Sequence, residues 1–348
     1  MALTQVQPGM LASDSQFTGF KNRIINGAMV VDQRNAGASL TATTASLYSV
    51  DRWQTLASVS SKFTAQQNAA SVTPPAGFVN YLGITSSAAT TVGATDYYIL
   101  QQSIEGYNLA DLNWGSANAQ TVTLSFWVRS SLTGSFGVVL QNGSNNRSYP
   151  ILYTISVANT WEYKTITIAG DTSGTWFTTN GNGVQIRFDL GIGSTYRGTS
   201  GAWTGTSAIY GVTGATSIVG TSGATFYITG VQLEKGSTAT SFDYRPYGTE
   251  LQLCQRYYEK NSNVYCSLVS DAANNAMLWV QFSVQKRTSP TMSQTGAWNY
   301  SRSGASGSYS LSFIQTDASG TGMYGNCGAA WVVVQATGAN GWIASSEL

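Results

Sequence analysis

The chain has 348 residues, of which 9% are charged and 12% aromatic, with 37 Gly, a formal net charge of +1 and no His. A balance so near zero, without clustered Lys and Arg, gives no electrostatic footprint for nucleic acid or an anionic membrane. The lack of His removes His-based triads, imidazole metal ligands and imidazole pH switches together.

Low charge with abundant Gly, Ser, Thr and aromatics is the composition of β-strands and tight turns, and the length fits two domains. Residues 1–20 are polar, carry Pro8-Gly9 and show no sustained period, so they read as an extended arm. No apolar run approaches the roughly 20 residues that span a bilayer, and the N-terminus lacks the basic start and apolar core of a secretion signal. The expectation is a protein made and assembled in a cytoplasm.

From Lys21 onward strand signals begin. In "TVTLSFWVRS" Val122, Leu124, Phe126 and Val128 share one face, and Trp127 falls on the polar face, where a neighbouring chain or loop is expected to cover it. "VQIRFDLGI" places Val184, Ile186, Phe188 and Leu190 inward against Gln185, Arg187 and Asp189. "TWEYKTITIAG" and "ATFYITGVQLE" each shift their apolar phase, near Thr165 and at Gly230, which predicts a bulge at each point. A Gly-rich stretch over 196–224 holds "GTSGA" twice, too few copies for a repeat architecture.

The fold class expected is all-β: an antiparallel jelly-roll β-sandwich over 21–245, then a smaller C-terminal β domain with one short helix over 246–348. The helix is predicted in "TELQLCQRYYEKN", with Thr249 and Gln252 as a capping box. "AAWVVVQAT" is apolar on both faces and is expected in a core or a subunit interface. Cys254, Cys266 and Cys327 are an odd number in a large chain, and free thiols are expected.

Catalytic chemistry finds little support. Glycoside hydrolysis needs two carboxylates facing across a cleft, and no spacing among the acidic residues selects a pair. "GIGSTYRG" has its third glycine displaced from a dinucleotide fingerprint, and Asp171 in "GDTSGTW" stands apart from any calcium-loop spacing. No catalytic residue, metal site or cofactor is expected. Aromatic planes that stack on sugar rings are the better lead. Trp176, Tyr196 and Trp203 in the first domain, with Trp298 and Tyr300 in the second, are the candidate glycan-binding residues because they lie near predicted loops rich in Gly, Thr and Asn. For each one singly, core or interface packing is the competing role.

Further motifs carry a resemblance. "NRIINGAMVVDQRNAG", "YSVDRWQ", "LSFWVRSS", "TWEYKTITIAGDTSGTW" and "FYITGVQLEKGSTATSFDYRPYGTELQLCQRYYEK" resemble, in that order, tail-fibre and related appendage proteins of tailed bacteriophages. The jelly-roll part is similar to carbohydrate-binding-module-like domains. The resemblance implies a non-enzymatic virion protein, homotrimeric, attached to other tail or baseplate proteins through the N-terminal arm and adhering to a host cell-surface glycan. A neck or head decoration fibre and a free carbohydrate-binding protein are the alternatives. Nucleic acid and membrane insertion are not expected. Since the first and last strands of a sandwich lie near each other, Asp32, Arg34, Asp51 and Arg52 are expected to form an inter-strand charge cluster with Glu234, Asp243 or Arg245, or alternatively a sugar or ion site.

Overall fold

The computed structural model describes residues 20–348 apart from 263–266, 270–274, 297, 303–304, 310–311, 315, 327–332 and 336–340. The N-terminal arm, Cys266, Cys327 and most of "AAWVVVQAT" lie outside the described residues. The chain divides into two compact units, Met1–Tyr247 and Gly248–Leu348.

The first unit is an antiparallel jelly-roll β-sandwich of two six-stranded sheets. One runs in the order Leu40–Thr41, Phe63–Gln67, Leu82–Ser86, Thr225–Lys235, Val122–Ser130, Glu162–Ile168. The other runs Leu47–Val50, Trp53–Ala57, Tyr97–Glu105, Asn182–Ile192, Gly134–Asn142, Ser148–Ile155. Period-2 alternation supplies the core from both: Val122, Leu124, Phe126 and Val128 are fully buried against Val184, Ile186, Phe188 and Leu190. Phe126 and Phe188 meet edge to face at 5.3 Å, and Phe188 also packs on Trp53.

The bulge expected at Gly230 is present. Register on the neighbouring strand slips between Thr229 and Gln232, and Gly230 takes a left-handed φ of 61°. The slip keeps Phe226 and Ile228 before it, and Val231 and Leu233 after it, on the same buried face. The bulge expected near Thr165 is absent, because Glu162 to Ile168 pair with Val128 to Val122 without a break. The apparent change of phase has another cause. Trp161 and Tyr163 point away from the core, and Trp161 packs on Tyr81 while Tyr163 packs on Trp127.

The Gly-rich stretch is built into the sandwich and covers the outward face of the second sheet. Val212 lies so close to the sheet that a Cβ on Gly137 would come within 2.9 Å of it, and a Cβ on Gly211 would come within 2.5 Å of the Asp189 carboxylate. Arg187, Gln101, Gln141 and Gln185, polar and directed away from the core, are consequently buried. They satisfy one another: the Arg187 guanidinium donates to Gln101 Oε1 at 2.9 Å, to Gln141 Oε1 and to Gln185 Oε1, while stacking on Tyr210.

The second unit is β-rich and antiparallel among its described strands. Its helix spans Tyr247–Gln255. That helix starts two residues before Thr249, so Thr249 and Gln252 lie inside it rather than at its cap. Pro246, which lacks an N–H and suits a helix start, sits immediately upstream. Phe282, Met323, Trp342 and Ala344 form a small core. Buried Lys286 donates to Glu259 and to the Gln255 carbonyl. The Cys254 side chain is buried.

Candidate functional site

Among the described residues, the outward face of the sheet containing Val122–Ser130 carries a groove of about 430 Å³. Four stretches of chain build it. The strands supply Ser125, Trp127 and Tyr163, with Trp127 and Tyr163 as direct cross-strand partners whose rings are 5.3 Å apart. The loop before Leu82–Ser86 supplies Phe78, and the segment after Thr225–Lys235 supplies Thr240, Ser241, Phe242 and Tyr244. Phe78 meets Phe242 at 5.1 Å and Tyr244 at 5.5 Å, and these three rings form the wall opposite Trp127 and Tyr163.

Gly230 joins the two walls. A Cβ there would lie 2.6 Å from Phe78 and 3.2 Å from Trp127, so the bulge that holds the core in phase also opens the groove floor. Trp127 and Phe78 are half-buried, whereas Tyr163 and Tyr244 keep 43% and 57% of their surface exposed. Their rings are therefore held by neighbours yet open to a ligand. Burial raises the Tyr244 phenol above its ordinary pKa, so it stays a neutral hydroxyl at physiological pH.

The segment "FDYR" shows how sequence produces this arrangement. Its aromatics, Phe242 and Tyr244, line the groove. Its charges turn the other way: Asp243 accepts the backbone N–H of Lys21 and Asn22, and Arg245 donates to the carbonyls of Ile24 and Asn22. Gln232 and Glu234 fix the same segment to the sheet by accepting the N–H of Asp243 and of Thr240, each at 2.8 Å.

The sequence-derived aromatic candidates lie elsewhere. Trp176 and Trp203 join Trp114 in an edge-to-face trio with centroids 4.7 to 5.4 Å apart, packed against the core. All three indole N–H groups donate to backbone carbonyls, of Gln120, Ser173 and Ala169. Tyr196 belongs to a separate cluster with Tyr97 and Tyr210 on the covered sheet. Trp298 and Tyr300 fall on the strand Trp298–Arg302, and their side chains lie outside the described ones.

Of the charge cluster, Asp32 accepts the N–H of Asn35 and Gly37, holding the turn that follows it. Asp51 accepts from the Gln33 backbone and side chain, Arg52 donates to the Ser103 carbonyl, and Arg34 lies over the Tyr48 ring at 4.4 Å. Glu234, Asp243 and Arg245 bond around Thr240, Lys21 and Asn22.

Sequence reasoning marked Trp127 as an outward aromatic needing cover, and missed Phe78, Tyr163, Phe242 and Tyr244. The signal for Tyr163 was the outward phase of "TWEY". For Phe242 and Tyr244 it was the alternation within "FDYR".

No family model and no curated protein matches the sequence. Solved structures that resemble the chain include the tailspike protein 4 enzymatically active domain of bacteriophage CBA120, with 12% identity and a TM-score of 0.33 over 62% of this chain. That alignment spans only 21% of the tailspike chain. A second is described as "CBM4 structure and function", with 17% identity and a TM-score of 0.30 over 61% of this chain and 98% of that one. A third is the CBM22-1 xylan-binding domain of Paenibacillus barcinonensis Xyn10C, with 12% identity and a TM-score of 0.28 over 59% and 99% of the two chains. Likeness at this level bears on neither ligand nor activity.

Proposed function

We propose that the protein is a non-enzymatic, homotrimeric tail-fibre or appendage subunit of a tailed bacteriophage that adheres to a host cell-surface glycan. Residues 1–20 attach it to other virion tail or baseplate proteins, and it is assembled in the bacterial host cytoplasm. The observation that carries the glycan reading is the groove between Trp127–Tyr163 and Phe78–Phe242–Tyr244. Sugar rings offer apolar C–H faces to aromatic planes and hydroxyls to neighbouring polar atoms, and this groove holds both. The virion reading is supported by the motif order from "NRIINGAMVVDQRNAG" to "CQRYYEK".

Each aromatic contact to a sugar is weak, and three copies in one fibre raise avidity by making later contacts intramolecular. The test is adsorption of the purified full-length protein to host envelope polysaccharide, compared with Trp127→Ala. Retention of the parent protein and loss of at least about tenfold in affinity for the variant is the expected result. Equal binding by both removes the groove from the adhesion site.

A further inference from the structure

We infer that the groove selects an uncharged glycan chain, bound by stacking and hydroxyl contacts, and disfavours polysaccharides carrying carboxylate or phosphate groups. The inference rests on the glycan reading and adds to it the chemical class of the ligand.

Three observations carry it. None of the described residues lining the groove is charged: Ala76, Gly230 and Ala239 accompany its five aromatics, and Ser125, Thr240 and Ser241 supply its polar side chains. Secondly, the charged residues that border it are committed behind it. Asp243 and Arg245 hold the backbone of residues 21–24. Glu234 accepts from the Thr240 hydroxyl at 2.7 Å, and the Lys21 ammonium bonds the same hydroxyl at 2.9 Å, so a cation and an anion flank Thr240 together. On the strand side, Arg129, two residues from Trp127 on the same face, donates to the Asn159 carbonyl at 2.9 Å and lies over the Tyr227 ring, and Lys164 is paired with Glu162 at 2.6 Å.

Thirdly, the walls are aromatic faces. An anionic substituent placed between them would lose its hydration and meet the negative face of each ring, with no cation among the lining residues to compensate. A neutral pyranose loses little on entry, because its hydroxyls can turn to the exposed Ser241, Tyr163 and Tyr244 side chains and to open solvent. A volume of about 430 Å³ accommodates a short stretch of chain rather than one ring alone.

The experiment uses the full-length protein and four soluble probes: a neutral β-glucan, a neutral galactan, polygalacturonate and polysialic acid, with binding measured by calorimetry and affinity electrophoresis. The expected result is binding to at least one neutral probe, weaker by about tenfold or more in Trp127→Ala and in Tyr163→Ala. Affinity should change by less than about twofold between low and high salt, since no charge pair is screened. Tyr163→Phe keeps the ring and should retain most of the affinity, which separates stacking from a folding defect. Binding confined to the anionic probes, with loss at high salt, overturns the neutral class while leaving the glycan reading standing. So does neutral binding that Trp127→Ala and Tyr163→Ala leave unchanged while their folding is intact. Binding to none of the four overturns the glycan reading itself, and this inference with it.

Discussion

The carboxylate of Asp243 accepts the backbone N–H of Lys21 at 2.9 Å, joining residues 222 positions apart at the two ends of the jelly roll. The same oxygen accepts the Asn22 N–H at 3.1 Å, so one side chain ties down the entry of the chain while its neighbours Phe242 and Tyr244 shape the groove. Asp243→Ala removes the acceptor of both N–H groups and is expected to lower stability by about 1–3 kcal/mol. It should also weaken glycan binding, by loosening the wall. Urea unfolding and polysaccharide binding on the same sample check both; an unchanged unfolding midpoint would count against the clamp.

Gly230→Ala combines a left-handed backbone with a Cβ driven into Phe78. The expected cost is about 1–3 kcal/mol for the backbone conformation alone, with Phe78 displaced from the wall. A thermal melt should show the loss, and binding should fall more than in a control of equal instability made in the second unit.

Asp189 gives a pH dependence with a definite sign. Its carboxyl is buried beneath the Gly-rich stretch, accepting the N–H of Gly191 at 2.9 Å and of Val212 at 3.2 Å. Burial raises its pKa from the ordinary 3.8 to about 7, against the opposing pull of those two N–H groups and of Arg197. The folded protein therefore holds the proton more tightly than the unfolded chain. This contribution is fully present below about pH 3.8 and is lost as pH rises through about 7. Asp189→Asn should flatten that part of the stability profile, and melting curves from pH 5 to pH 8 measure it. A parent protein whose Asp189 contribution, taken as the difference from Asp189→Asn, grows with pH would contradict the assignment.

Arg147 and Asp171 form a two-pronged ion pair at 2.7 and 2.6 Å, with Asp171 almost wholly buried beside the tryptophan trio. Arg147→Ala strands that carboxylate and is expected to cost about 3–5 kcal/mol. Arg147→Ala combined with Asp171→Asn should recover part of the loss, because no buried charge is then left unpaired. Denaturation midpoints of the single and double variants decide.

Removing residues 1–20 should leave the jelly roll folded, since its first described core residues begin at Ile24, and should abolish incorporation into particles. Circular dichroism, light scattering for the oligomeric state and immunoblotting of purified virions provide the readouts. Truncated protein found in particles at the parent level would show that the arm is not the anchor.

Strand character and inward phase are written locally. Val122 to Val128 and Val184 to Leu190 alternate every second residue, and a pleated backbone converts that period directly into a buried face, so the all-β sandwich and the Gly230 bulge could be read from the chain. Local pattern says which side chains leave the core and is silent on what they then meet. Trp161 and Tyr163 mimicked a shift of phase near Thr165 because outward aromatics look the same in sequence as inward ones. Gln185, Arg187 and Asp189, outward by phase, are buried because the Gly-rich stretch folds back over them. The groove draws Phe78, Trp127, Tyr163, Phe242 and Tyr244 from four stretches of chain. Only the antiparallel register, the bulge and the Asp243 clamp set Trp127 5.3 Å from Tyr163 and Phe78 5.1 and 5.5 Å from Phe242 and Tyr244 around one groove, and these are long-range pairings that tertiary structure alone decides.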